Sequence, residues 1–324
     1  MVHNFNDLIS IENLFQAWGE FKKGKRKRKD VQIFERNLED NLFELYKKLV
    51  NKTYRHGTYY AFYVHDPKRR HIHKATVQDR VTHHLLYKYL YELFDKTFIF
   101  DSYSCRLGKG THRSVNRLEK FTRVVSKNYT KPCWALKLDI KKFFASVDHQ
   151  ILKKLLRKRV LDKEILWLLD EVIDSFPGGI PLGNLTSQVF ANIYMNELDQ
   201  FMKHNLQVKY YMRYADDFLI LRNNKNDLNH SIKPTEQFLN QQLKLELHPK
   251  KIIFRNLNWG IDFLGYIVLP HYRLPKTKTK RRMFKRINNE NLQSYLGYLS
   301  HANTYNLTQE LKSRVWLYGH DTIG

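Results

Sequence analysis

Asp216 and Asp217 stand side by side in YYMRYADDFLIL (residues 210–221), between two runs rich in Tyr, Phe, Ile and Leu. Such runs favour strands, so the stretch predicts a strand, a tight turn carrying both acids, and a returning strand. Asp-Asp is not a favoured pair for a two-residue hairpin turn, which wants Gly or Asn at positive φ. A tip that holds two like charges calls for a cation. An arbitrary Asp-Asp pair is most often a solvated surface turn, but apolar strands on both sides argue for a central hairpin. A third carboxylate lies upstream in WALKLDI (134–140). As a strand, that segment turns Trp134, Leu136, Leu138 and Ile140 to one face and Lys137 and Asp139 to the other. Only a tertiary fold can bring Asp139 to the later pair. Converging carboxylates suit a hard cation such as Mg²⁺. Two such ions, roughly 3.5–4 Å apart, clamp the attacking and leaving oxygens of an in-line phosphoryl displacement.

Composition points to the substrate class. The 324 residues carry 56 Lys and Arg against 32 Asp and Glu, a net charge of +24, with 14% aromatics. A basic, aromatic-rich globular chain of this kind suits a polyanion, and nucleic acid leads. The length allows a sizeable core and two or three subdomains. Cys105 and Cys133 have neither disulfide nor zinc spacing and are expected to be buried or half-buried thiols in a reducing compartment. The His pairs 71/73 and 83/84 lack further spaced ligands and read as ordinary polar residues. No apolar run approaches membrane-spanning length and no signal-peptide core opens the chain, so a cytoplasmic protein without a membrane partner is expected.

The elements that must position the acids follow from periodicity. Residues 5–21 predict an amphipathic helix, 22–30 (KKGKRKRKD) a basic run, and 31–51 a second helix. Strand pattern follows at 59–64, then a Pro-containing basic turn through 73 and a helix over 75–94. Further helices are expected near 112–126 and 146–160, from about 186, and over 228–245. A strand-like stretch with a Pro-bearing turn covers 243–254, and a hairpin 263–268. Residues 270–275 read as a linker, 276–286 (KTKTKRRMFKR) as a second basic run, and 288–300 and 307–317 as helices.

The motifs carry a family resemblance. YMRYADDFLIL resembles the YxDD box of reverse transcriptases, and LKLDIKKFFASVDHQIL resembles their first palm-aspartate motif. Between them, GGIPLGNLTSQVFANIYMNELDQF resembles the third palm motif, and the blocks run collinearly from about Tyr63 to Tyr266. Where that motif usually has Gln-Gly and Ser-Pro, this chain has Leu182-Gly183 and Ser187-Gln188. That departure looks like the enzymes of diversity-generating retroelements. The resemblance implies an α+β right-hand polymerase of fingers, palm and thumb, with an antiparallel palm sheet flanked by helices and a helical thumb. It divides the chain into a basic helical segment (1–53), interleaved fingers and palm (54–270) and thumb (271–324).

The same resemblance assigns roles. Asp139, Asp216 and Asp217 are the expected catalytic residues. Together with the Ile140 position they would hold two Mg²⁺, with Mn²⁺ able to substitute. Lys68 and Arg70 of the fingers hairpin would grip the incoming triphosphate. Phe144, five residues after Asp139, matches the aromatic gate that excludes a ribose 2′-hydroxyl. Leu182, Gly183 and Gln188 would contact the nucleotide, and an apolar Leu182 implies low fidelity. Lys251 aligns with a Lys near the triphosphate, suited to act as a general acid. Arg106, Lys109, Gly265, Lys280, Arg281 and Arg282 are expected along the nucleic acid. The implied partners are an RNA template, a DNA or RNA primer, dNTPs and a small basic accessory oligomer, in a bacterial, archaeal or phage-encoded system. No maturase extension or endonuclease domain is read in the sequence, which argues against a complete group II intron protein. Two rivals stand beside this reading: a retron, defence-associated or group II-like reverse transcriptase, and a non-catalytic RNA-binding scaffold.

Overall fold

Ser10 splits the helix expected over 5–21: its hydroxyl accepts from the Asn13 N–H at 3.3 Å, an N-cap bond that starts a new helix. The computed structural model describes residues 4–65 and 69–318, which leaves Lys68 outside the described residues. The chain forms two compact units. Residues 1–100, 140–205 and 236–246 make the first, and 101–139, 206–235 and 247–324 the second.

The first unit is largely helical. Ile11–Phe21 buries Leu14, Ala17, Trp18 and Phe21 against the long helix Val77–Phe94. The expected 31–51 helix is two helices, Lys29–Arg36 and Leu38–Val50. Asp30, at the end of the first basic run, pairs with Lys74 at 2.7 Å and with Arg80. Part of that run is therefore tied into the fold. Thr76 caps Val77–Phe94, and the buried Asp79 accepts from Tyr54 Oη at 2.7 Å and Thr76 Oγ1 at 2.6 Å. Strands β1 (Tyr60–Val64) and β2 (Arg70–Lys74) form an antiparallel hairpin with Val64 opposite Arg70. Leu185–Gln200 is buried on nearly every side, packing on Val77–Phe94 and His149–Arg157.

The second unit holds two antiparallel sheets. Strands β3 (Trp134–Asp139), β4 (Tyr211–Tyr214), β5 (Asp217–Arg222) and β6 (Ile253–Asn256) pair in the order β4-β5-β3-β6. Strands β7 (Ile261–Phe263), β8 (Tyr266–Val268) and β9 (Arg273–Pro275) form the other. Here the second half of the expected linker 270–275 is a strand: Val268 pairs with Arg273 and Tyr266 with Pro275. Leu264 and Gly265, at φ 49° and 91°, make the β7–β8 turn, as a turn with two positive φ values requires. Helix Thr111–Val125 lays Val115, Leu118 and Phe121 over Ala135, Met212, Leu219 and Leu221 of the first sheet and Phe263, Tyr266 and Val268 of the second. The opposite face of β3 and β5 is buried as well, through Leu136, Leu138, Phe218 and Ile220. The expected division into one core face and one polar face therefore holds only at the strand ends. Met283, Leu299 and Leu311 form a separate small core for the last three helices, Thr277–Arg286, Leu292–Leu299 and Tyr305–Tyr318. No helix among the described residues is long and apolar enough to cross a membrane. Cys133 is buried, as expected, but Cys105 is exposed.

Candidate active site

Strand register brings the three acids together. β3 and β5 pair with Asp139 directly opposite Asp217 at one end of the sheet. Tyr214 opposite Asp217 closes the β4–β5 hairpin, so the two-residue tip is Ala215-Asp216 and Asp217 opens the returning strand. The turn therefore carries one acid rather than both. Ala215 takes the positive φ of 54° that such a hairpin needs, at a position where Gly is the easy choice. Asp139 and Asp217 share the face that carries Lys137, Leu219, Ala135 and Leu221 deeper in the sheet. The carboxylates thus stand at the end of an apolar wall.

Two ammonium groups answer this charge. Lys137 Nζ lies 3.2 Å from Asp217 Oδ2, and Lys251 Nζ donates to Asp139 Oδ1 at 2.5 Å. The short helix Pro249–Lys251 is set by the His248 N–H, which donates to the Asp139 carbonyl at 2.8 Å. Lys137 was missed as a site residue, although its place two residues before Asp139 on the same strand face was the available signal. Burial, reinforced by the charges of Asp139 and Asp217, pushes Asp216 up to about 6. Burial also raises Asp217, against the pull of Lys137.

These residues fit a divalent cation. Asp217 Oδ1 is buried and has no hydrogen-bond partner among the described residues, a costly state for a carboxylate oxygen unless a cation satisfies it. Three hard oxygen donors on adjoining backbone positions are also the chemistry Mg²⁺ prefers. Among the described residues no three such side chains converge into a ready-made cage. In this arrangement Asp139 is turned to Lys251 and Asp217 to Lys137, so rotation of those side chains would have to accompany metal binding. Ile140, the fourth expected ligand position, follows Asp139 and is buried.

A buried arginine that sequence reading missed holds the turn. Arg213 is fully buried in β4, where its Nη1 donates to the Ala215 carbonyl at 3.0 Å and its Nη2 to Ser102 Oγ at 3.1 Å. Its backbone N–H donates to the Asp101 carbonyl at 2.9 Å. The signal was a lone cation inside an otherwise apolar strand. Arg213→Met keeps the volume but leaves those acceptors unsatisfied, which costs about 2–4 kcal/mol. Urea unfolding should show a loss of unfolding free energy of that size, and a loss below about 0.5 kcal/mol would rule out this support role.

Of the residues expected around the nucleotide, Arg70, Phe144, Leu182, Gly183 and Gln188 lie in the first unit and Lys251 in the second. Phe143 and Phe144 sit in the turn Phe143–Ser146, with Phe143 buried and Phe144 half-buried. The Ile180 N–H donates to the Phe144 carbonyl at 2.7 Å. Gly179, at φ 68°, lies so close that a Cβ there would stand 2.3 Å from that oxygen. Two residues on, the Leu182 carbonyl accepts from the His73 N–H of β2 at 2.9 Å. Gly183 meets Ile72 of the same strand, and Asn184 Nδ2 donates to the His73 carbonyl at 3.1 Å. The loop bearing Leu182 and Gly183 is thereby stapled to the strand that begins at Arg70. Gln188 lies exposed in the first turn of Leu185–Gln200. Asn184 gave no sequence signal, because an Asn at a helix start reads as a cap.

The expected nucleic-acid contacts belong to the second unit. Arg106 Nη1 donates to the Ser102 carbonyl at 3.1 Å, and Lys109 Nζ lies 5.1 Å from the centre of the Tyr103 ring. Gly265 has an internal role: its carbonyl accepts from Tyr298 Oη at 2.6 Å and from the Lys276 N–H at 2.8 Å. Arg281 is exposed and Lys280 and Arg282 half-buried on Thr277–Arg286, so the second basic run is helical.

A family model described as reverse transcriptase (RNA-dependent DNA polymerase) matches residues 65–268. Protein YkfC of Escherichia coli is 24% identical over 232 residues, which cover 59% of this chain and 60% of that protein. The group II intron-encoded protein LtrA of Lactococcus lactis is 20% identical over 338 residues, which cover 80% of this chain and 54% of LtrA. Apo telomerase from Candida tropicalis has a similar structure, with a TM-score of 0.53 at 13% identity, over 79% of this chain and 56% of that one. The chain thus spans little more than half the length of each of these proteins. The structural likeness gives the fold, a right-hand polymerase with an antiparallel sheet flanked by helices.

Proposed function

Because this chain belongs to the reverse transcriptase (RNA-dependent DNA polymerase) family, we propose that it copies RNA into DNA at Asp139, Asp216 and Asp217. The observation that carries the reading is the pairing of Asp139 with Asp217 beside the Ala215-Asp216 tip, with a buried Asp217 oxygen lacking a hydrogen bond among the described residues. Mg²⁺ ions, held by the three aspartates and the Ile140 carbonyl, would lower the barrier by stabilising the attacking 3′-oxygen and the departing pyrophosphate. Mn²⁺ offers similar chemistry. Lys251 donates a proton to the pyrophosphate, and its ammonium beside Asp139 supports that role. Lys68 and Arg70 hold the triphosphate. Arg106, Lys109, Lys280, Arg281 and Arg282 meet the template and primer backbones, and Gly265 lets the β7–β8 turn approach them. Extension of a DNA primer on an RNA template with dNTPs and Mg²⁺ is the direct test. No extension, even with Mn²⁺ and the cognate RNA supplied, would sink the reading.

Phe144 is the sugar gate. A bulky ring under the sugar would clash with a ribose 2′-hydroxyl, so Phe144→Ala should raise ribonucleotide incorporation on the order of 10–100-fold. An unchanged ratio of rNTP to dNTP use would remove Phe144 from this role.

Within the family, we assign the chain to the diversity-generating type, which copies a template RNA with errors at adenines and works with a small basic accessory oligomer. Leu182-Gly183 and Ser187-Gln188 support this. Leu182 offers the incoming base no hydrogen bond, so Leu182→Gln should lower misincorporation about tenfold, read by sequencing the cDNA. A second reading, a group II-like enzyme, is favoured by the likeness to LtrA. Accurate copying opposite template adenines would select it.

A further inference from the structure

Helix Thr111–Val125, the β8–β9 connection and the loop after Leu292–Leu299 line an open cavity of about 630 Å³ within the second unit. Its walls combine cations and aromatic rings. Lys120 makes no hydrogen bond or ion pair among the described residues. Arg123 is exposed and uses only its Nε among the described residues, donating to Asn128 Oδ1 at 3.0 Å, so its outer nitrogens are available at the rim. Tyr272 is 44% exposed. The rings of Tyr129 and His271 meet with centroids 4.4 Å apart. The single acid of the lining, Glu119, is answered by Arg273 at 3.5 Å. Arg273 itself is fixed by Asn116 Oδ1 at 2.6 Å and by the His301 carbonyl.

The backbone here is held in conformations that side chains disfavour. Lys127, Asn128 and Tyr129 are three successive residues at positive φ (48°, 57° and 68°), and His271 stands at 68°. Such conformations persist where surrounding structure over-determines them, and they cluster at ligand sites. In this case they set Tyr129 and His271 against each other at the cavity wall.

Cations for phosphate and ring faces for bases together match a single-stranded nucleic acid. The volume suits one or two nucleotides. Location supports the match. Thr111 Oγ1, at the start of the helix, donates to Tyr214 Oη at 3.3 Å, and Tyr214 flanks the catalytic turn. Asn116 to Arg123 then lie about 8–18 Å along the helix axis from that start. We propose that this cavity is a tethering subsite for single-stranded RNA, set back from the reacting centre. The choice of RNA rests on the polymerase reading.

The test is the affinity of the full chain for a fluorescein-labelled 12-nucleotide oligouridylate, measured across a salt series. Primer extension on a short hairpin template is assayed in parallel. Lys120→Gln with Arg123→Gln should weaken binding about tenfold and flatten the log–log salt slope by about 1.4, the value for two lost phosphate contacts on single strands. Tyr272→Ala should weaken binding about fivefold or more with the slope unchanged, because stacking carries no counterion release. Extension should stay within about twofold in both variants. Unchanged oligouridylate affinity would overturn the proposal. So would a silent Tyr272→Ala combined with equal competition by inorganic polyphosphate, which has charge but no bases, since the cavity would then be a general anion patch. Loss of extension together with binding would also overturn it, by tying the cavity to the catalytic centre. Absence of extension in the unmodified chain would sink the polymerase reading instead, and the oligouridylate arm would still decide the cavity.

Discussion

Asp216→Asn should abolish primer extension and at the same time make the metal-free protein more stable. The two effects share one cause. Burial, then the charges of Asp139 and Asp217, push the Asp216 carboxyl up from 3.8 to about 6. Above that pH the folded chain carries an ionised group in a place that disfavours it. At about 1.4 kcal/mol per pKa unit, the penalty is on the order of 2–3 kcal/mol. Asn keeps the shape and removes the charge, so the melting temperature in EDTA at pH 8 should rise by several degrees, at about 2–4 °C per kcal/mol. Extension should fall on the order of 10³-fold or more, as when one member of a catalytic group acting as a unit is lost. A merely structural Asp216 would give a lower melting temperature with activity kept, and that result would end the assignment.

The same shift fixes the pH dependence. The folded pKa lies above the unfolded one, so the folded state binds the extra proton between about pH 4 and 6. Metal-free stability should therefore rise as pH falls through 6 and lose this gain as pH climbs back. Protons also compete with the cation for the carboxylate. The Mg²⁺-induced increase in melting temperature should accordingly shrink below pH 6 in the parent chain. In Asp216→Asn that increase should be small at every pH. An equal Mg²⁺ effect at pH 5 and pH 8 would show that Asp216 is not a ligand.

The acids were legible because the strands around them are written in apolar residues that tolerate no other arrangement. The tip was not. Whether a hairpin closes at Tyr214–Asp217 or one residue later depends on cross-strand pairing, and a one-residue slip exchanges the faces. The structure resolves this by turning at Ala215-Asp216, which sets Asp217 against Asp139 on the wall shared with Lys137. β9 was hidden for a related reason. Arg273–Pro275 is three residues long and ends in Pro, which suits an edge strand because its missing N–H faces no neighbour. Such a strand has no periodicity to read. Arg213 and Asn184 were obscured differently. Arg213 was visible as a lone cation in an apolar strand, but its partners, the Ala215 carbonyl and Ser102 Oγ, were not. The partner of Asn184, the His73 carbonyl, is a backbone acceptor that leaves no mark in the sequence. The alternation in WALKLDI predicted a single core face, but Ala135, small enough for either environment, joins the core on the Asp139 side.

Gly179→Ala should damage the enzyme more than any other single methyl added near the nucleotide loop. Gly179 has φ 68°, and an added Cβ would fall 2.3 Å from the Phe144 carbonyl oxygen and 2.7 Å from Ala145 Cα. Both are backbone atoms, so no flexible side chain can swing away. The left-handed conformation costs about 1–2 kcal/mol for a non-glycine residue, and forcing atoms into a packed site adds about 1–3 kcal/mol. Relief requires the loop and the Phe143–Ser146 turn to part by about 1 Å. That would break the Ile180 N–H bond to Phe144, and would strain the 2.6 Å contact between His149 Nε2 and the Gly179 carbonyl. Phe144 would move with its carbonyl. With Phe144 in the proposed gate role, a misplacement of this size costs about 10²-fold in rate, so kcat for dNTP addition should fall by that order and discrimination against rNTPs should relax. Gly178→Ala is the matched control, since nothing lies within 4 Å of a Cβ there, and it should be near neutral in both stability and sugar choice. If the two alanine variants behave alike, Gly179 does not position the gate, and the contact between this loop and Phe144 serves packing alone.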